Sequence, residues 1–484
     1  MIKFKSIVLQ LKEEDYNALC KQFTETKAEK YLRLLMLYRE NTYNDEQIQE
    51  MLGINISAYY TLKSRLFDKI QDYLTNNMST PIIDLLRKVA NIPTLVYDTH
   101  RETAIAILNK LESELKTYDM PYELSSVYSA LKKLNIHSPK YYEYTQQYNK
   151  HLAYTIALDK AEDILNNFTK TLGDYYASRL KQHTDMLALY KQEINNVCQL
   201  YDSHHLSICK CIIDISFALF LPNSEMTKDD EPIEDQLATM EKIFSTYSKD
   251  VSYQYLYQVY NFLAFEYYHS LNQTKKAAKY FEPVNEKLQS FLLYNHCCFT
   301  SKFLISKLEK HLENNTESSV YAEIIDMVEN FEPDRNDIPN YINYTKFIAA
   351  AAMYDKKYSD AVQYLNRLVN DISFKNYPHS EIEIKLLLAL NYSMINKYDP
   401  ATSMLRSVTR KVRELNDEMG YENALVFYKI LSTQMGASSK AVDQKITQLF
   451  SKFELLNVKH NRMLEYIKPD EQFIKQLSQN VKRG

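Results

Sequence analysis

Between Asn343 and Val408 one pattern is written twice. Setting Ala361 over Ala401 brings Tyr358 over Tyr398, Leu365 over Leu405, Leu368 over Val408, Ala349 over Ala389 and Ile348 over Leu388. Small and large apolar residues fall in step. Each copy carries an apolar stripe at i, i+3/i+4 spacing and then a short turn, Asp355, Lys356 and Lys357 in one copy and Ile395, Asn396 and Lys397 in the other. A second stripe follows, opened by Tyr-x-x-Ala, which is the periodicity of two amphipathic helices in a hairpin. A lone hairpin of this kind cannot bury its own apolar face, so repetition implies stacking.

At these residues the chain resembles the tetratricopeptide repeat (TPR). Ile348 and Leu388 match the family's large apolar residue in helix A, and Ala349 and Ala389 its small residue where neighbouring helices approach closely. Tyr392 matches the helix-A tyrosine, where the first copy has Ala352. Ala361 and Ala401 match the small residue of helix B, and Leu365 and Leu405 its bulky packing residue. The copies depart from the family in their 40-residue offset, against about 34, and in lacking its tryptophan and proline. Lys356 and Asn396 stand where the family keeps a turn glycine. A weaker third copy spans Tyr253–Gln289, where Tyr268 and Ala277 recover the tyrosine and alanine offset.

The rest of the composition agrees with an all-α chain. Five glycines and 12 prolines in 484 residues leave few of the residues that tight β-hairpins need. An apolar share of 45% is ordinary for a folded protein. The net charge of −4 points to no strongly charged partner. Forty-one tyrosines beside no tryptophan fit a codon bias that also enriches Asn, Lys and Ile. Lys3 and Lys5 precede the apolar run Ser6–Leu11, which is too short for a leader peptide, and no stretch reaches the length of a membrane span. Six cysteines in so long a chain make no disulfide framework. A cytoplasmic location is expected.

Residues 13–76 are predicted to form helices near Glu13–Thr24, Ala28–Arg39, Asp45–Leu52 and Ser57–Thr75, with Asp45 and Ser57 as N-caps. Ile48, Leu52, Ile54, Tyr59 and Leu62 fall at inward positions of a helix-turn-helix, with Gly53 in the turn. This stretch resembles the helix-turn-helix of bacterial regulators and of the promoter-reading end of sigma factors. Gln49 departs from that motif, which keeps a small residue there. The resemblance implies that Ser57, Tyr60, Thr61 and Lys63 or Arg65 face DNA. The charge is thin for that role, since residues 1–80 hold eleven basic and eleven acidic side chains.

The expected organisation is a helix-turn-helix-like domain over 1–80, TPR-like hairpins stacked in a superhelix over 81–436, and capping helices over 437–484. Met78–Pro81 marks the first boundary, and Leu221–Asp235 reads as an exposed loop. Chemistry is sparse. His204, His205, Cys209 and Cys211, and again His296, Cys297 and Cys298, lack paired metal-ligand spacing and read as packing residues, so no metal is expected. No two glycines fall in a phosphate-binding frame, and no G-x-S-x-G or H-E-x-x-H occurs.

Without cofactor or catalytic motif, the expected function is a non-enzymatic scaffold for a protein or peptide. The TPR resemblance places its ligand-facing positions at Asn343, Lys346, Met353, Tyr354, Glu383, Leu387 and Ser393. The alternative is a homodimeric transcriptional regulator that reads DNA through Asp45–Tyr73 and senses a partner through its repeats.

Overall fold

The computed structural model describes residues 4–11, 13–40, 42–76, 81–221, 231–248, 250–293, 297–415, 420–436, 442–458 and 461–479. Among these residues the chain is all-α, without strands, and consecutive helices pack as adjacent pairs. No described helix is long and apolar enough to cross a membrane. Two compact units form, Met1–Glu114 and Leu115–Gly484. Met78, Ser79 and Thr80, at the expected boundary, and most of the expected loop, 222–230, lie outside the described residues.

In the first unit the helices are Glu13–Glu25, Glu29–Arg39, Asp45–Leu52 and Ile56–Asn76, within two residues of expectation. The apolar run after Lys5 belongs to a further short helix, Phe4–Gln10. Its C-terminal carbonyls are not left unpaired, because the Arg39 guanidinium donates to the carbonyls of Val8, Leu9 and Leu11 at 2.9–3.0 Å. Two caps differ from expectation. Asn44 caps the Asp45–Leu52 helix in a reciprocal box with Gln47, and the Asn55 side chain accepts from the Ala58 amide. Asparagines one position before Asp45 and two before Ser57 reach the orphan amides, which frees Asp45 to accept from Tyr38 and Lys63 instead.

In the second unit the twice-written pattern folds as the helices Ile338–Tyr354, Tyr358–Asp371, Pro378–Met394 and Tyr398–Glu414. Every residue aligned above as a packing position, from Ile348 and Ala349 to Leu405 and Val408, is buried. The two turns are superimposable in their bonding. Lys356 and Asn396 both take the left-handed conformation, φ 61° and 60°. The amide of Lys357 returns to the Ala352 carbonyl, and that of Lys397 to the Tyr392 carbonyl, the 6→1 bond of a Schellman cap. The third copy repeats this, with Asn272 at φ 56° and Gln273 bonded back to Tyr268.

The helices Ile338–Tyr354 and Pro378–Met394 are buried around most of their circumference, which is why Ala349–Ala352 can all be alanine and all fully enclosed. They pack against their own hairpin partners and against the 39-residue helix Lys140–Ser178. Residues 461–470 lie between the helices Val442–Leu456 and Glu471–Gln479 without helical structure. They cover the remaining face.

Candidate peptide groove and the N-terminal helical pair

The face that residues 461–468 cover includes four of the seven expected ligand-facing positions, Asn343, Lys346, Tyr354 and Glu383. Asn343, Lys346, Met353, Glu383, Leu387 and Ser393 are all buried in the helical core and Tyr354 is part-buried. Several of them grip backbone. The Glu383 carboxylate accepts the Leu464 amide on one oxygen (2.8 Å) and Lys346 Nζ on the other (2.8 Å). The Tyr354 hydroxyl donates to the Tyr466 carbonyl at 2.7 Å and accepts from the Lys468 amide at 3.1 Å. Burial pushes that phenol well above its ordinary pKa, against the pull of the Lys468 amide, so it remains a donor. Further along, the Asn457 side chain pairs with both backbone groups of Met463, and Asn423 donates to the Asn461 carbonyl at 2.8 Å.

These contacts leave the side chains of Met463, Leu464 and Tyr466 to pack inward, each about fully buried. Leu464 sits at φ 54°, so the segment kinks between the Glu383 and Tyr354 contacts. Lys468 Nζ ends the run by donating to the Leu312 carbonyl at 2.9 Å and to Asn315. Leu387 and Ser393 reach no atom of the segment through a hydrogen bond; Ser393 Oγ donates to the Leu390 carbonyl of its own helix.

Beside the covered face lies a cavity of about 1000 Å³ with a mixed-charge wall. Arg179, Lys302, Arg462 and Lys468 contribute cations, and Glu266, Glu309, Glu313 and Glu465 carboxylates. Burial alone would lower the Lys302 ammonium, yet Glu266, Glu309 and Glu465 raise it above its ordinary value. Glu309 goes the opposite way from Glu465. Burial pushes Glu309 up to about 8, with Lys302 pulling back and Glu465 pushing further. Burial also works to raise Glu465, but Lys302, Arg462 and Arg179 outweigh it and hold Glu465 below its ordinary value. The two carboxyls are thus driven apart, Glu309 toward its neutral form and Glu465 toward its charged form.

In the first unit, Ile48 and Tyr59 are buried and Leu52, Ile54 and Leu62 pack against the same core. Ser57, Tyr60, Thr61 and Arg65 are exposed on the Ile56–Asn76 helix. Gly53 turns the chain at φ 62°, and Gln49 donates to the Ile54 carbonyl at 3.1 Å across that turn. Lys63 is held differently from its neighbours. Its ammonium pairs with Asp45 at 2.7 Å and lies over the rings of Phe4, Tyr38 and Tyr59. Burial favours a raised Asp45 carboxyl, but hydrogen bonds from Lys63 and Tyr38 prevail and keep it below its ordinary value.

Of the cysteine groups singled out in the sequence, His296 lies outside the described residues. Burial pushes the Cys211 and Cys297 thiols up to about 12, which keeps them protonated. The segment 461–468 was the part of the groove that sequence reasoning missed. Its only signal is a short apolar cluster, Met463, Leu464, Tyr466 and Ile467, in a stretch without helical periodicity. Compared with protein-family models, characterised proteins and solved structures, the chain matches none.

Proposed function

We propose that this chain is a non-enzymatic helical-repeat scaffold whose TPR-like hairpins stack into a superhelix and bind an extended segment of a protein partner. The supporting observation is the Asn461–Lys468 stretch. It is held through its main chain at Leu464, Tyr466 and Lys468 by Glu383 and Tyr354 from two different helices, with apolar side chains inserted between. Main-chain gripping with pockets for alternate side chains is how grooves recognise extended peptides. The chain's own segment occupies the groove, so a partner competes with it. Six free thiols fit action in the cytoplasm.

Leu464→Pro removes the amide that Glu383 accepts and forbids φ 54°, so it should release the segment. In an affinity capture from the source cell, Leu464→Pro should recover a partner in excess of the unmodified chain, and adding Tyr354→Ala or Lys346→Glu should abolish the gain. Equal recovery by all four proteins would count against the groove.

A second reading is favoured by the exposed Ser57, Tyr60, Thr61 and Arg65 above a core that contains Ile48 and Tyr59. Here the first unit reads DNA as part of a homodimer, since one charge-neutral unit offers few phosphate contacts while two linked units multiply affinity through effective concentration. Genomic capture followed by gel shifts at rising salt tests it. Arg65→Glu should lose the specific fragments and flatten the salt dependence; no enriched DNA would remove this reading.

A further inference from the structure

A group of metal-ligating side chains lies apart from the groove, assembled from residues far apart in sequence. Asp119 occupies a left-handed turn position, φ 54°, ahead of the helix Pro121–Leu134. His204 and His205 begin the helix His204–Phe220, capped by Ser203. One nitrogen of each imidazole and one Asp119 carboxylate oxygen lie within 4.8 Å of one another.

The surroundings orient these groups. Asp119 Oδ2 accepts from Tyr154 at 2.6 Å and from Ser203 at 2.5 Å, which fixes the carboxylate and leaves its other oxygen. The Tyr253 hydroxyl faces Nδ1 of His204 and, at 3.1 Å, Nδ1 of His205. The His204 ring is stacked on Tyr247 with centroids 3.9 Å apart. Hydrogen-bonded carboxylates and imidazoles anchored through their second nitrogen are the outer shell that metal ligands carry.

One atom remains unexplained by the protein alone. His204 Nε2 is buried without a hydrogen-bond partner and stands 4.0 Å from Asp119 Oδ2, too far for a hydrogen bond. If Nδ1 donates to Tyr253, Nε2 presents a lone pair toward a carboxylate, an arrangement that a cation relieves. If Nε2 carries the proton instead, a buried donor goes unmet.

We propose that Asp119, His204 and His205 form a binding site for a divalent transition-metal ion, with zinc the best fit. Two imidazoles and a carboxylate match the ligand preference of zinc and leave a fourth position for water, whereas magnesium and calcium favour all-oxygen sets. Zinc bonds of about 2.0–2.2 Å place neighbouring ligands closer than the present spacing. The three groups therefore draw in around the ion, through side-chain rotation of a few tenths of an ångström to about 1 Å. Tyr253 can accept from both Nδ1–H groups, since a phenol oxygen has two lone pairs.

The experiment uses the full chain after chelator treatment and dialysis, titrated with zinc by calorimetry and with cobalt(II) by visible absorption. One zinc per chain is expected, and the cobalt complex should show the visible bands of a nitrogen- and oxygen-ligated site without thiolate charge transfer. His204→Gln, His205→Gln and Asp119→Asn should each weaken zinc by about 100-fold or more, beyond the loss typical of outer-shell changes, while Cys209→Ser/Cys211→Ser leaves it unchanged. Absence of stoichiometric binding, thiolate bands in the cobalt spectrum, or loss confined to the cysteine variant overturns the proposal. The spectrum of the unmodified chain decides the matter even if a histidine variant fails to fold.

Discussion

The Tyr354 hydroxyl serves two backbone groups of one segment, the carbonyl of Tyr466 and the amide of Lys468. Tyr354→Phe leaves both without that partner, and should cost about 1–3 kcal/mol. Hydrogen exchange at the Lys468 amide should accelerate in that variant while the hairpin helices keep their protection; unchanged exchange at Lys468 would mean that the contact holds nothing. The Lys346–Glu383 pair, nearly enclosed at 11% and 4% side-chain exposure, makes a second test. Glu383→Gln strands a buried ammonium and should destabilise by about 3–5 kcal/mol. Lys346→Met/Glu383→Gln, with no charge left, should recover much of that loss in chemical denaturation; strict additivity of the two changes would contradict the coupling. At this scale the sequence was partly legible. The TPR resemblance selected Lys346, Tyr354 and Glu383, but not the segment that Tyr354 and Glu383 hold, because more than 80 residues separate Glu383 from Leu464 and no periodicity spans such a distance.

The hairpin is the element the sequence exposed most clearly, because its signal is local. Apolar spacing located the helices Ile338–Tyr354 through Tyr398–Glu414, and the aligned Ala, Ile, Leu and Val residues are buried in both copies, while the aligned Tyr358 and Tyr398 are part-buried. The turns were placed correctly as well. Their geometry was not legible, since Lys356 and Asn396 hold a left-handed conformation that glycine adopts more readily. Lysine bears a steric penalty there of about 1 kcal/mol and asparagine less. Lys356→Gly should thus raise stability by about 0.5–1 kcal/mol in thermal or denaturant unfolding, and Asn396→Gly by a smaller amount. Destabilisation by Lys356→Gly would show that the turn is held by something other than backbone conformation. The stretch 461–470 illustrates the opposite case. It has no repeating pattern, so its place against the repeats is a tertiary fact.

For the whole molecule, the mixed-charge cavity couples stability to pH through Glu309. Its folded value, about 8, lies above the ordinary 4.5. The folded state therefore binds this proton more tightly than the unfolded chain does. The resulting stabilisation is complete below about pH 4.5 and is lost as pH rises through about 8. Thermal melts followed by circular dichroism should fall in midpoint between pH 6 and pH 9, and Glu309→Gln, which fixes the neutral form, should fall less. Equal falls in both proteins would place the pH dependence elsewhere. The division into Met1–Glu114 and Leu115–Gly484 was not legible, because composition marks only the polar stretch near Pro81, whereas packing of the intervening helices decides which residues form a compact unit. The central claim is that the groove accepts an extended peptide now supplied in cis. A fluorescent peptide spanning residues 461–470, titrated into full-length Leu464→Pro and followed by anisotropy, tests it most directly. Saturable binding that Tyr354→Ala abolishes, with little binding to the unmodified chain, is the predicted result. No binding to Leu464→Pro, with its fold intact by circular dichroism, would contradict it.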